Sequence, residues 1–492
     1  MSSDVIGIIL AAGRGRRMHS KTPKPLHQVC GVPMLEHVSM AMRGAGIGRL
    51  VAVSAPDTEA DPGFIKAAGP DAAVAVQQWV DGKPGGTADA VRCAQVHCHG
   101  GKVAVVGAGD MPLITAETIR TLVQRHRESK AVVTVLTAMD APVAGLGRVI
   151  REPQGTGRPV AIVEEQDATE QQRQVKEVNT SWYCFDAAWM WQALERVTPS
   201  KASGEMYLTD LIEMAVREGR HTAAVSVADP IEALGVNDRV QLARAEAAMR
   251  LRTCKLLMLG GVTVIDPAAT YIDANVRVGQ DTVIQPGVHL RGRTLIGAGC
   301  RIGPGSVITD SQISSDCEVG PNSIVANCEI GPNSKVVASF CDGAKVGSNV
   351  SIGPFSRLRQ GAVIGDRTRI GNYAEVKNSK IAEDVHISHF SYTGDATVGR
   401  GVNIGAGTIT CNFDSESGEH SMTEICDGAS LGSGTMLIAP RKVGRDAVTG
   451  AGSVVTKDIP DGEVWAGNPA RPLRKRSVKS RQSSENPNTK KR

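Results

Sequence analysis

From Val346 to Val376 an aliphatic side chain returns at every sixth position: Val346, Ile352, Leu358, Ile364, Ile370 and Val376. An amphipathic helix repeats near 3.6 residues and a half-buried strand near 2, so neither ordinary element produces this spacing. A fixed short period marks a solenoid, whose units bury their apolar side chains only by stacking on one another. Each six-residue unit then forms one short strand on one face of a prism, aliphatic group inward, and the next residues turn the corner. Gly follows most of these aliphatics, as a corner needing positive φ or close backbone approach requires. The spacing recurs at Ile296, Ile302 and Ile308, at Val319, Val325 and Ile330, at Val398 and Ile404, and at Leu431, Leu437 and Val443. An all-β parallel β-helix is therefore expected over residues 261–468.

Strings of Ile/Val/Leu-Gly-x-x-x-x resemble the hexapeptide acyltransferases. That resemblance implies a left-handed coil, although parallel crossovers are normally right-handed. With 492 residues the chain is too long for one core. Hydrophobic residues at 41% and charged ones at 22% describe a soluble globular protein, and no apolar run approaches the length of a membrane helix. Val5–Ala12 follows Asp4 and leads into a Gly-rich turn, so it reads as a first strand and not a signal peptide; a cytoplasmic location is expected. Eleven cysteines without a CxxC pair read as reduced, mostly buried thiols. His97-Cys98-His99 has no further ligands at zinc-site spacing. Nine basic residues and one acid from Pro469 to Arg492 carry +8 of the formal net charge of +4, leaving the body at −4. Positive charge confined to a coreless segment is not a nucleic-acid-binding domain; residues 469–492 are expected to be a disordered basic tail.

Residues 1–238 alternate strand and helix patterns. Ile6–Leu10, Leu50–Ser54, Ala73–Val76, Val103–Val106 and Val132–Leu136 read as strands, and Ala88–Val96 and Ala116–Arg127 as helices. The expectation is an α/β, Rossmann-like sheet, mostly parallel, with ligands at the carboxyl ends of the strands. Leu10-Ala-Ala-Gly-x-Gly-x-Arg17-Met18 is neither a dinucleotide fingerprint nor a Walker loop. Followed by Pro23-Lys24-Pro25-Leu26, it resembles the signature of sugar-nucleotide pyrophosphorylases. Backbone N–H groups of the loop can approach polyphosphate oxygens, while Arg17 and Lys24 supply charge where an α-phosphate is attacked. Asp110, just after a buried strand, is placed to hold a divalent ion beside phosphates; the other reading is a cap for a helix opening near Thr115.

Further motifs run in an order similar to that of the bifunctional UDP-N-acetylglucosamine pyrophosphorylases and glucosamine-1-phosphate N-acetyltransferases: Gly86-Thr87-Ala88, Gly145-Leu-Gly147-Arg148, Ile162-Val-Glu164, Glu177-Val-Asn179-Thr180, Gly204-Glu-Met-Tyr207 and Gly235-Val-Asn237. The resemblance covers nearly all of the chain except the tail. It implies Mg²⁺ on Asp110 and Asn237, and a UTP or UDP-sugar site formed by Leu10, Ala11, Ala12, Gly13, Arg17, Lys24, Gln77, Gly86, Thr87, Gly109, Gly147, Glu164, Asn179 and Asn237. The base contact is Gln77 or its neighbour Gln78, because the segment up to Gly86 is longer than the family's. Ala108 stands where the family usually has Tyr.

Asp238-Arg-Val-Gln241 resembles a capping box opening a helical linker over residues 239–260, about 30 Å long and stopped by Gly260-Gly261. It would hold two active sites apart. Beyond it the longest break in the six-residue count is Thr408–Met422, a loop thrown out of the prism. An acetyl transfer to an amine needs a base, and imidazole is suited to that task; resemblance points to His389. It also implies Arg359, Lys377, Tyr392 and Asn403 around the acetyl acceptor and Ala406, Asn412, Phe413, Ser433 and Ala451 along acetyl-CoA. Phe413 replaces the family's Tyr, and Asn468 its Arg, for which Arg471 is the candidate replacement. The family implies a homotrimer built through the β-helix, acting on acetyl-CoA, glucosamine-1-phosphate and UTP to supply bacterial cell-wall precursors, with no nucleic-acid or membrane partner. The other reading is a single-function nucleotidylyltransferase with a regulatory, oligomerising prism.

Overall fold

The computed structural model describes residues 4–79, 84–140, 145–165, 167–200 and 204–475. Its two compact units divide between Arg252 and Thr253.

In the first unit a nine-stranded sheet runs Thr222–Ser226, Val133–Met139, Glu177–Asp186, Val103–Ala108, Val5–Leu10, Arg49–Ser54, Ala73–Val76. Arg148–Glu152 and Arg158–Val163 form a hairpin that joins the sheet on Glu177–Asp186. The pairs around Val5–Leu10 are parallel, as the alternating pattern predicts. Glu177–Asp186 instead runs antiparallel to both of its neighbours in the centre of the sheet. Ile6 and Ile8 enter one core with helices Thr87–Cys93, Ala187–Leu194 and Asp210–Arg217. Val5 and Ile9 enter the other with Met34–Gly44, Pro62–Ala68 and Ala116–Ser129. A strand covered on both faces reads as an unbroken apolar run, which is why Val5–Leu10 shows no alternation.

The helix Arg239–Leu259 is 21 residues long. Asp238 caps it by accepting the Gln241 N–H at 2.8 Å, but the Gln241 side chain reaches back to the N–H of Asn237, one residue before the capping-box position. The division between the two units falls within this helix. Its first part is fastened to the first unit: Glu246 accepts the Cys30 N–H at 2.6 Å, and Arg252 donates to the Leu113 carbonyl at 2.8 Å.

The second unit is a parallel β-helix of three stacked sheets with thirteen, eleven and ten strands. Val346 pairs with Ile364, Ile352 with Ile370 and Leu358 with Val376, each pair in a different sheet. Three six-residue units therefore close one coil, and all six of these aliphatics are buried in one continuous core. Nearly all the strands are only two or three residues long, so the ladder to the coils above and below sustains each one. Cys300, Cys317, Cys328 and Cys341 fill inward positions of the same core. All eleven cysteines are thiols outside any disulfide.

Two expectations are corrected at the end of the chain. Ile409–Cys411 stays in its ladder, so the loop leaving the prism is residues 412–422 and not the whole of Thr408–Met422. Folded structure also continues past residue 468: Arg471–Lys475 pairs antiparallel with Glu463–Ala466, which removes the start of the expected disordered tail. A bare sheet edge beside Trp465 gives those residues a ladder to join despite their charge. The rest of the tail lies outside the described residues.

Candidate active sites

At the carboxyl ends of the parallel strands the backbone is drawn together. Ala11 donates to Val53 O, Gly109 to Leu10 O and Gln77 to Ser54 O, each at 2.9 Å. A cavity of about 350 Å³ opens there, walled by Leu10, Ala11, Ala12, Gly13, Lys24, Gln77, Gly86, Thr87, Gly109, Asp110 and Asn237. Ten residues that the sequence assigned to the nucleotide thus share one wall with Asp110, assigned to the metal.

Lys24 lies in a single turn between two prolines. Its ammonium donates to Asp110 Oδ2 at 2.5 Å and to Asn237 Oδ1 at 2.7 Å. Asp110 is not a helix cap, since Thr115 Oγ1 caps Ala116–Ser129 by accepting the Thr118 N–H. The Val236 N–H donates to the Asp110 carbonyl at 2.9 Å, tying the Gly235–Asn237 segment to the end of the strand. A carboxylate and an amide oxygen therefore converge on one point, now held by Lys24 Nζ. Two hard oxygens at one point beside a phosphate-sized cavity are the donor type that would suit Mg²⁺. Among the described residues no group of three or more His, Cys, Asp or Glu could hold a metal.

Gly86 is required twice over. Its φ is +96°, and a Cβ there would stand 2.4 Å from the Met206 carbonyl oxygen. Thr87 Oγ1 accepts the Leu208 N–H at 2.9 Å, so this wall is locked to the Gly204–Asp210 stretch. Gln77 is buried, donating to Gly86 O at 2.8 Å and Asp89 Oδ2 at 2.9 Å, whereas Gln78 is exposed. Between the two, Gln77 is the cavity residue.

Four assigned residues stand off the wall. Arg17 is exposed on the turn after the Gly-rich loop. Gly147, Glu164 and Asn179 lie outside the lining, which takes Leu146, Thr180, Ser181 and Glu205 instead. Asn179 Nδ2 donates to the Tyr183 hydroxyl at 2.7 Å and its Oδ1 accepts the Ser181 N–H at 3.0 Å. Asn179 thus shapes the bulge that turns Ser181, at φ +61°, into the cavity. Burial pushes the Glu164 carboxyl pKa up, against a bond from Thr209 Oγ1 at 3.4 Å. Ser181 left no sequence signal, because a bulge inside an apolar strand does not change the pattern. Glu205 did, as part of the Gly204-Glu205 motif.

The second site lies on one corner and one face of the prism. Phe390 N–H donates to Asn372 O, Gly407 to His389 O, Gly434 to Ala406 O and Gly452 to Ser433 O. Residues 372, 389, 406, 433 and 451 therefore climb one corner in successive coils. His389, proposed from sequence as the base, heads the row that holds Ala406, Ser433 and Ala451. Its Nδ1 is bonded to Asn372 Oδ1. A proton on Nδ1 in that bond leaves Nε2 with its lone pair. Arg359 and Lys377 follow the aligned pair Leu358 and Val376 in the adjoining sheet. Arg359 donates to Glu375 at 3.0 Å. Tyr392 begins the next strand of that sheet, and Asn403 stands exposed on the other side of the corner. Asn412 is buried and Phe413 is 57% exposed, at the root of the loop. Arg471 sits exposed in the final strand.

A doubly covered α/β sheet with a polyphosphate-sized cavity, joined in one chain to a hexapeptide prism bearing a histidine, defines a two-part transferase. Residues 7–202 match the MobA-like NTP transferase domain, and residues 275–310 and 343–378 match the bacterial transferase hexapeptide repeat. The chain is 42% identical to the bifunctional protein GlmU of Carboxydothermus hydrogenoformans, over 92% of this chain and 96% of that protein. It is 43% identical to GlmU of a Geobacillus species, over 92% and 93% of the two chains, and 41% identical to that of Geobacillus thermodenitrificans, over 96% and 97%. The chain belongs to the GlmU family of bifunctional enzymes. Its nucleotidyltransferase is the first unit and its hexapeptide transferase the second.

Proposed function

We propose that the prism transfers an acetyl group from acetyl-CoA to glucosamine-1-phosphate, and that the first unit joins the N-acetyl product to UTP, giving UDP-N-acetylglucosamine and pyrophosphate. The observation that carries this reading is the corner row, in which His389 is followed coil by coil by the small residues Ala406, Ser433 and Ala451, side chains short enough to let a thin thioester arm run along them as its track. His389 Nε2 takes the proton as the amine nitrogen attacks the thioester carbonyl; the C–S bond breaks and the thiol leaves with a proton. Arg359 and Lys377 bind the sugar phosphate, and Tyr392 and Asn403 border the sugar.

In the first unit the sugar phosphate oxygen attacks the α-phosphorus of UTP, and the bond to pyrophosphate breaks. Gln77, Gly86 and Thr87 hold the base, the N–H groups of Ala11 to Gly13 face the phosphates, and Lys24 and Arg17 bear on the charge that develops. Asp110 and Asn237 would hold Mg²⁺, which would neutralise phosphate charge when bound. Gly147, Glu164 and Asn179 bound the sugar end from behind Leu146 and Ser181.

The prism assembles with two further copies of the chain. Phe355, Tyr373 and Phe390 support this: they stack at 5.4 and 5.1 Å on successive coils, 58%, 53% and 62% exposed, a ribbon of rings that a second copy would cover. Eleven thiols outside any disulfide suit a reducing, cytoplasmic setting. No helix among the described residues is long and apolar enough to cross a membrane. The test is paired: thiol release from acetyl-CoA with glucosamine-1-phosphate, and pyrophosphate release from UTP with N-acetylglucosamine-1-phosphate. Absence of the first with the second intact would leave the single-function reading.

A further inference from the structure

Asp395 is a carboxylate that no assigned role uses, yet it is only 5% exposed. Its Oδ1 accepts from Asn378 Nδ2 at 2.6 Å. Its Oδ2 takes Asn412 Nδ2 and faces His420 Nδ1 at 3.0 Å. Its backbone works in the same direction: the Asp395 N–H donates to Lys377 O at 3.1 Å, and its carbonyl accepts the Thr423 N–H at 3.0 Å. Asn412, His420 and Thr423 are the first residue, a late residue and the exit of the loop that leaves the prism. The loop is closed on itself by Ser421 N–H to Asn412 O at 2.8 Å and by the Phe413 ring lying 5.3 Å from the His420 ring. Asn412 Nδ2 also lies 3.5 Å from the Tyr392 hydroxyl. One buried acid therefore gathers both ends of the loop to the strand that bears Tyr392.

We propose that Asp395, with His420 as its loop-side partner, is the positioning residue of the acetyl-transfer site: it fixes residues 412–422 so that Asn412 and Phe413 border the thioester track. The inference rests on the acetyl-transfer reading above. Asp395 touches no reacting atom and acts through Asn412. An acid deprived of water is held ionised here by Asn378, Asn412 and His420. Replacing it with an amide would set two amide donors against each other and free the loop.

The test uses the full chain as Asp395→Asn, His420→Ala and His420→Gln. Because His420 is 46% exposed in its side chain, its variants fold even where Asp395→Asn is impaired. Asp395→Asn and His420→Ala are expected to raise KM for acetyl-CoA about tenfold, with kcat within about threefold and KM for glucosamine-1-phosphate and uridylyl transfer unchanged. His420→Gln, which can still donate to the carboxylate, should restore KM to within about twofold of the parent. Amide exchange over residues 412–423 should quicken in the first two variants and not in the third. Acetyl-CoA KM unmoved in both Asp395→Asn and His420→Ala, a parallel rise in both substrates' KM, or unchanged exchange would overturn the proposal. A parent that releases no thiol would sink the acetyl-transfer reading instead, and the exchange measurement would still decide whether Asp395 anchors the loop.

Discussion

Replacing Lys24 with Met separates two roles that its position combines. The ammonium is bonded to both Asp110 and Asn237, with the two charged side chains 12% and 26% exposed, so water competes weakly for either. A divalent ion claiming those oxygens must first break the pair. A hydrogen bond to a charged group contributes about 1.5–3 kcal/mol net, and partial exposure argues for the equivalent of one such bond and not two. At 1.4 kcal/mol per decade, Lys24→Met should tighten Mg²⁺ or Mn²⁺ binding to the nucleotide-free protein by about tenfold to a hundredfold. Uridylyl transfer should move the opposite way, falling about a hundredfold or more, because the charge facing the α-phosphate is lost. Calorimetry with Mg²⁺, or Mn²⁺ paramagnetic resonance on protein without UTP, reads the first effect, and pyrophosphate release reads the second. Metal affinity that is unchanged or weaker in Lys24→Met would show that Asp110 and Asn237 do not form the cation site.

Independence of the two sites predicts that His389→Ala abolishes thiol release and spares pyrophosphate release, while Asp110→Asn does the reverse; loss of both activities in either variant would refute it. Gly86→Ala, forced to φ +96° with its Cβ 2.4 Å from Met206 O, should cost about 1–3 kcal/mol from backbone strain alone and raise KM for UTP, read by melting and by pyrophosphate kinetics. Ile364→Ala, at 2% exposure in the prism core, should cost about 2–5 kcal/mol and lower the melting of the second unit selectively. His126 is buried against Thr134 Oγ1, and burial lowers its pKa from 6.5 to about 4. The unfolded chain then binds the extra proton first, so stability falls as pH drops from about 6.5 towards 4, by about 3 kcal/mol in all, and is fully present above 6.5. His126→Phe should flatten that dependence in thermal melts followed by tryptophan fluorescence, which reports mainly on the first unit because only Trp465 lies beyond residue 252.

The prism was legible because its information is local. Val346, Ile352 and Leu358 each state their own inward direction, and the register to Ile364, Ile370 and Val376 follows from counting. The Gly-rich loop was legible for the same reason, since Gly15, at φ +60° where a Cβ would stand 2.6 Å from Lys24 Cβ, reports a backbone need that few residues satisfy, as Gly86 does on the cavity wall. The antiparallel course of Glu177–Asp186 was not, because an apolar strand buried on both faces reads the same in either direction. Nor was the strand at Arg471–Lys475, whose composition argues for solvent and whose pairing is set by an open edge many residues away.

The same division runs through the sites. Lys24, Asp110 and Asn237 could each be picked out by motif, but nothing in the sequence puts one ammonium between the other two, because that depends on three chain segments meeting at one strand end. Asp395 is the sharper case: its neighbours in sequence are Gly394 and Ala396, while its partners are Asn378, Asn412 and His420, supplied by the coil before and by the loop after. In a solenoid the residue one coil away is as near as the next in sequence, so a site is read along the column and not along the chain. Searching by column, from Asn372 through His389 to Ala451, gathers the proposed base and the small residues of the thioester track into one line, and the buried acid lies across the face beside it.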